Sequence, residues 1–170
     1  MILRKSYIEE LLRFVDKPQV KVITGVRRSG KSTILKLLQQ HLAQKDIKES
    51  QFIVMNFESF NTIDFKTAQK LYQHVSSQIQ NNKRYYLFLD EIQEVTDWEK
   101  AVNSFLVDFD VDIYITGSNS HLLSSELATY LAGRFVEIPV YTLSYSEFLD
   151  FKKVYSVKTK KGDWFSDYLR

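Results

Sequence analysis

A chain of 170 residues without cysteine excludes disulfide frameworks, thiolate nucleophiles and cysteine-ligated zinc. With 44% hydrophobic residues, 26% charged residues and a net charge of +2, it has the composition of one globular domain, and its mildly basic balance is no polyanion signature. No apolar run approaches the ~20 residues of a membrane span and Met1-Ile2-Leu3-Arg4-Lys5-Ser6 has no secretory apolar core, so the expectation is a soluble, cytoplasmic protein with no membrane partner.

Residues 7–14 space their apolar side chains as an amphipathic helix. Val20-Lys21-Val22-Ile23-Thr24 is short and β-branched like a buried strand, and across residues 33–43 Ile34, Leu35, Leu37, Leu38 and Leu42 recur at helical spacing. Between the two lies Gly25-Val26-Arg27-Arg28-Ser29-Gly30-Lys31-Ser32, which fits Gly-x-x-x-x-Gly-Lys-[Ser/Thr]. Strand, glycine loop and helix form the context in which that pattern cradles phosphate. Gly25 and Gly30 permit backbone angles and close approaches that a Cβ blocks, so successive amides can curl round phosphate oxygens. The helix start adds unsatisfied N–H groups and partial positive charge. The nucleotide-binding set is therefore Gly25, Arg28, Ser29, Gly30, Lys31, Ser32 and Thr33, with Lys31 reaching the β- and γ-phosphates and the Ser32 hydroxyl suited to Mg²⁺. The Arg27 and Arg28 side chains face nucleotide, partner or solvent.

Phe52-Ile53-Val54-Met55-Asn56-Phe57 reads as the second strand, with Glu58 after it either reaching the site or ending the strand. Residues 64–80 read as a helix with Phe65, Ala68, Leu71, Val75 and Ile79 inward. Tyr85-Tyr86-Leu87-Phe88-Leu89 is a third strand ending in Asp90-Glu91. A Mg²⁺ ion on ATP phosphates keeps most of its waters and needs a nearby carboxylate, a role that Asp90 fits. Glu91, one residue on, is placed to polarise an attacking water as general base. Thr96-Asp97-Trp98-Glu99 spells a capping box for a helix carrying Trp98, Val102, Phe105, Leu106 and Phe109.

Residues 111–116 form a fourth strand, followed by Thr116-Gly117-Ser118-Asn119, where Asn119 either orients the water or caps the next helix and Ser118 is the alternative polar contact. Residues 122–131 read as a helix closed by Gly133, residues 135–140 as a fifth strand, and Ser144-Tyr145-Ser146-Glu147 as a second capping box. Lys158-Thr159-Lys160-Lys161-Gly162 reads as a loop before an aromatic cluster of Trp164, Phe165 and Tyr168. His41, His74 and His121 have no ligand spacing. Strands alternating with helices predict an α/β fold, a mainly parallel sheet covered on both faces, with ligands at the carboxyl ends of its strands.

Several stretches resemble a prokaryotic AAA-type ATPase family, ATP-binding proteins with an AAA domain and a C-terminal domain of unknown function. They are the glycine loop with its double arginine, Leu87-Phe88-Leu89-Asp90-Glu91-Ile92-Gln93, Thr116-Gly117-Ser118-Asn119-Ser120, Leu131-Ala132-Gly133-Arg134 and Leu143-Ser144-Tyr145-Ser146-Glu147-Phe148. The resemblance implies a three-layer P-loop NTPase with sheet order 5-1-4-3-2. It implies an ATPase domain over residues 1–156, with residues 157–170 as a loop and the start of a downstream region that is absent here. It makes Arg134 a candidate for the γ-phosphate, in this subunit or a neighbour's, against the plain reading of a surface arginine at a helix end. Arg4 and Tyr7 resemble the segment that packs near adenine. The implied activity is Mg²⁺-dependent hydrolysis of ATP to ADP and phosphate, coupled through the absent C-terminal domain. Homo-oligomers and nucleic acid are candidate partners, and a nucleotide-gated switch or scaffold of low turnover is the alternative function. No Asn-Lys-x-Asp guanine motif occurs, since Asn82-Lys83-Arg84-Tyr85 departs from it, so adenine is expected.

Overall fold

Runs of β-branched and aromatic residues form the strands of the computed structural model, which describes residues 4–45, 47–118, 122 and 130–155. In chain order the elements are α1 (Lys5–Arg13), β1 (Val20–Thr24), α2 (Lys31–Ala43), β2 (Phe52–Asn56), α3 (Ala68–Gln78), β3 (Tyr85–Asp90), α4 (Trp98–Asp108), β4 (Val111–Gly117), β5 (Phe135–Pro139) and α5 (Tyr145–Tyr155). The five strands pair in the order β2-β3-β4-β1-β5, and every pairing is parallel. This is the expected order read from the other edge.

Parallel strands covered on both faces need apolar side chains on both, and β1 and β3 are buried along their whole lengths. The two faces separate by residue parity. Val20, Val22, Leu87, Leu89, Ile113 and Ile115 pack with Leu71 and Val75 of α3 and Val102 and Phe105 of α4. Ile23, Phe88, Tyr114 and Ile138 pack instead with Ile8 and Leu11 of α1 and Ile34 and Leu38 of α2. Three layers follow from this division, as an α/β P-loop NTPase requires.

Two local expectations are corrected. The helix expected over residues 64–80 begins at Ala68, capped by the Thr67 hydroxyl, which accepts from the Lys70 amide, and Phe60–Phe65 before it is 3-10 helix. The capping box at Thr96 does not form. Asp97 caps α4 in the left-handed conformation at φ 57°, without a side-chain cap bond. Thr96 is committed elsewhere, because its amide donates to the Lys66 carbonyl and its carbonyl accepts from the Ala68 amide, both at 3.0 Å. The box at Ser144 does form, with the Glu147 amide donating to Ser144 Oγ at 3.2 Å and the Ser144 amide to Glu147 Oε2 at 2.8 Å. Asn119, most of the helix expected over 122–131, the loop at 158–162 and the aromatic cluster at 164–168 lie outside the described residues. Among the described residues no helix is long and apolar enough to cross a membrane.

Candidate functional site

Parallel strands bring their carboxyl ends to one edge, and there β1, β2, β3 and β4 deliver Gly25, Asn56, Asp90 and Thr116. The loop leaves β1 through Gly25 at φ 152°, passes Arg28 at φ 68° and enters α2 through Gly30 at φ 98°. Gly25 is required by space as well as angle, because a Cβ there would lie 2.2 Å from the Val140 carbonyl oxygen. Gly30 is the N-cap of α2, so a helix start faces the mouth of a cleft of about 590 Å³ lined by Gly30, Lys31, Ser32, Thr33, Glu58 and Glu91.

Lys31 is buried, at 3% exposure, and its ammonium donates to the Gly25 and Val26 carbonyls at 3.1 and 3.3 Å. Glu91 Oε1 stands 3.6 Å from the same Nζ. Asp90 accepts at both carboxylate oxygens: Ser32 Oγ at 3.1 Å and Thr116 Oγ1 at 2.5 Å on Oδ1, and Asn56 Nδ2 at 3.0 Å on Oδ2. Three elements besides its own therefore hold this carboxylate beside the start of α2. Glu91 sits just past β3 in the left-handed region, φ 55° and ψ 51°, an uncommon conformation for a residue with a Cβ. Its amide donates to Thr116 Oγ1 at 3.0 Å, and Gln93 Nε2 donates to its Oε2 at 2.6 Å. Thr116 thus bridges the two acids, bonding the side chain of one and the backbone of the next.

A family model described as "AAA domain" matches residues 17–149, most of the chain. The chain belongs to the AAA domain family. A protein of Haemophilus influenzae named only as uncharacterized is 44% identical over 169 residues, covering 99% of this chain and 42% of its own. An uncharacterized protein of Methanocaldococcus jannaschii is 38% identical, covering 84% of this chain and 30% of its own. This AAA domain therefore spans less than half the length of the curated relatives it matches. Among solved structures, a DNA polymerase III gamma subunit-related protein of Thermotoga maritima superposes with a TM-score of 0.65 at 15% identity over 95% of this chain and 52% of that one. The Aeropyrum pernix ORC1 protein in complex with DNA gives 0.62 at 13% identity over 90% and 49%. Hsp104 gives 0.63 at 14% identity over 89% and 29%. At those identities the likeness is one of fold.

The residues of this AAA domain fit a phosphate-bearing ligand with a hard cation. A buried ammonium turned onto loop carbonyls is a cation held beside the cleft, and Ser29 Oγ is buried without a hydrogen-bond partner among the described residues. The oxygen pair of Ser32 and Asp90 is the donor set that Mg²⁺ prefers. Of the expected site residues, Gly25, Arg28, Ser29, Gly30, Lys31, Ser32, Thr33, Asp90 and Glu91 gather at this edge. Arg27 is exposed at the rim of the cleft, which it also lines, and pairs there with Glu58 at 2.8 Å. Arg134 lies at the other end of the sheet: its carbonyl accepts from the Val20 amide at the start of β1, and its exposed guanidinium donates to Asn103 of α4. The five residues of β1, at ~3.3 Å each, separate it from the loop by about 16 Å. His74 stacks on Phe65 with ring centroids 4.0 Å apart.

Sequence reasoning missed Asn56, Gln93 and the bridging part of Thr116. A signal was present, since Asn56 and Thr116 are polar residues at the carboxyl ends of otherwise apolar strands, as Asp90 is. If a phosphate-bearing nucleotide seats in this cleft on the Lys31 ammonium, Lys31→Met, which removes the ammonium but keeps the bulk, is expected to weaken ADP binding about tenfold to a hundredfold, the loss of one charged hydrogen-bond donor. Calorimetric titration checks it.

Proposed function

We propose that this AAA domain binds ATP with Mg²⁺ over Gly25 to Thr33 and hydrolyses it to ADP and phosphate. The carrying observation is the carboxyl-edge constellation, in which Ser32 Oγ lies 3.1 Å from Asp90 Oδ1 and Glu91, the next residue, presents a second carboxylate to the same cleft. Lys31 and the loop amides would bind and orient the phosphates, and Ser32 and Asp90 would hold Mg²⁺. When bound, the ion supplies charge neutralisation on phosphate oxygens. Glu91 would take the proton of the attacking water at its carboxylate.

A nucleotide-gated switch of low turnover is the second reading. One observation favours it: Glu91 accepts from Gln93 at 2.6 Å while its other oxygen faces Lys31, so the base is engaged at both oxygens. Titration of ATP with Mg²⁺ tests both readings, and single-turnover hydrolysis separates them. Absence of ATP binding by the wild type would falsify both. Measurable single-turnover cleavage favours the hydrolase, and tight binding without cleavage the switch.

Arg134, exposed at the far edge, is proposed to act on a neighbouring subunit's nucleotide, where an always-protonated planar donor suits developing phosphoryl charge. Arg134→Ala is expected to leave ADP affinity unchanged, and to lower specific activity only at protein concentrations where subunits assemble. Specific activity measured against protein concentration, beside light scattering, checks this. An Arg134→Ala defect of equal size in dilute monomer contradicts the assignment.

A further inference from the structure

Arg4 stands before the first turn of α1, is only 6% exposed, and takes no part in the phosphate chemistry described above. Its guanidinium is nonetheless fully engaged. Nη1 donates to the Ser29 carbonyl in the glycine loop at 2.9 Å, and Nη2 donates to the Tyr141 carbonyl just beyond β5 at 3.0 Å. Nε and Nη2 grip the two oxygens of Glu147 on α5 at 2.7 and 3.2 Å. The fork also lies 4.5 Å from the centre of the Tyr7 ring. Partial burial works to raise the Glu147 carboxyl, but the bonds from Arg4 and Ser144 outweigh it and hold the group below its usual value, charged.

We propose that Arg4 is a positioning residue for the nucleotide site: it locks the Ser29–Gly30 peptide so that the Gly30 N–H faces the cleft, and Glu147 keeps Arg4 in that pose. The inference rests on the reading of the loop as a nucleotide site. Its physics is that of one peptide unit. In a trans peptide the C=O and N–H point in opposite directions, so a carbonyl drawn back onto Arg4 turns the next amide outward. Gly30 lines the cleft, and its N–H is among those that a phosphate would meet. Gly30 is also the residue at which this orientation is least secure. A glycine populates both signs of φ, so the preceding peptide can flip at little cost and turn its oxygen toward a phosphate. A buried guanidinium on that oxygen blocks the flip, and only arginine offers a planar fork that reaches the loop, the β5 exit and the α5 carboxylate together.

The chain has five glycines, so protein labelled with ¹⁵N at glycine gives a spectrum simple enough to follow Gly30 by itself. On titration of wild-type protein with Mg·ADP, the Gly30 amide is expected to move downfield as it donates to phosphate. In Arg4→Lys, which keeps the charge and loses the fork, the shift is expected to fall by at least half and the ADP Kd to rise about tenfold, with Gly133 unmoved. Glu147→Gln keeps an acceptor for Arg4 but loses its charge, so it loosens rather than removes the hold on the loop carbonyl and is expected to raise Kd about threefold with a partial loss of the Gly30 shift. It decides the matter if Arg4→Lys fails to fold. Wild-type affinity with an unchanged Gly30 shift in the folded variants overturns the proposal while leaving the nucleotide reading intact. Failure of the wild type to bind ADP removes both.

Discussion

Glu91→Gln is expected to slow single-turnover hydrolysis of ATP by about 10²–10⁴-fold, the usual contribution of a positioned general base, with ATP affinity within about threefold of wild type. The substitution keeps the size of the side chain, and its carbonyl oxygen can still accept from Gln93, so the left-handed turn at residue 91 has no reason to change. What it removes is the ability to take a proton from water. Rapid-quench measurement with enzyme in excess over ATP isolates the chemical step from product release. Equal rates for wild type and variant would leave Glu91 no catalytic part, and the switch reading would then account for the acid pair. Gln93→Ala is the informative companion. If the Gln93 bond restrains the base, its loss raises the single-turnover rate; if the bond orients the base, its loss lowers it.

Lys21→Met is expected to cost about 3–5 kcal/mol of folding stability, the penalty for leaving one member of a buried ion pair without its partner. For a domain of this size that corresponds to a fall in Tm of about 6–20 °C. Lys21 on β1 and Asp112 on β4 are 0% and 1% exposed and bonded to each other on the α1/α2 face, near the amino end of the sheet. Lys21 also donates to the Lys17 carbonyl at 2.8 Å, while Asp112 accepts from the Asp16 amide at 2.8 Å and the Tyr114 hydroxyl at 2.9 Å. Burial draws the Lys21 ammonium below its usual pKa, and the Asp112 carboxylate beside it opposes that pull. Removing the lysine orphans a carboxylate in a place that water does not reach. Lys21→Met combined with Asp112→Asn removes both charges and keeps an acceptor for Asp16 and Tyr114, so it is expected to recover part of the loss. Thermal unfolding of the two variants checks the order, and a double variant no more stable than the single one argues against the charge explanation.

Much of this was legible along the chain because it is local. Strand β1, the glycine loop and helix α2 are contiguous, and their β-branched run, glycines and helical repeat each report on a few neighbouring residues. The same holds for β3 running into Asp90 and Glu91, and for Ser144 and Glu147, which cap one turn with their own backbone. Locality also explains the misreading at Thr96. Its sequence spells a cap, but a backbone pairing with Lys66 and Ala68 takes up its amide and carbonyl, and propensity yields where tertiary contacts make a competing demand.

The alternation of strands and helices, the phosphate-loop pattern and the acid pair can be read along the chain, since all three are patterns of near neighbours. Strand order, which only the resemblance implies, follows from the parallel pairing of β1 with β4 and β5, of β4 with β3 and of β3 with β2. It takes the packed fold to set Asn56 and Thr116 on Asp90, lay Arg4 between the glycine loop and α5, and carry Arg134 to the opposite edge of the sheet. Each of these joins residues from different strands or from opposite ends of the chain, as Arg4 and Glu147 do across 143 positions. Spacing along a chain carries no measure of such distances; packing both faces of one parallel sheet creates them.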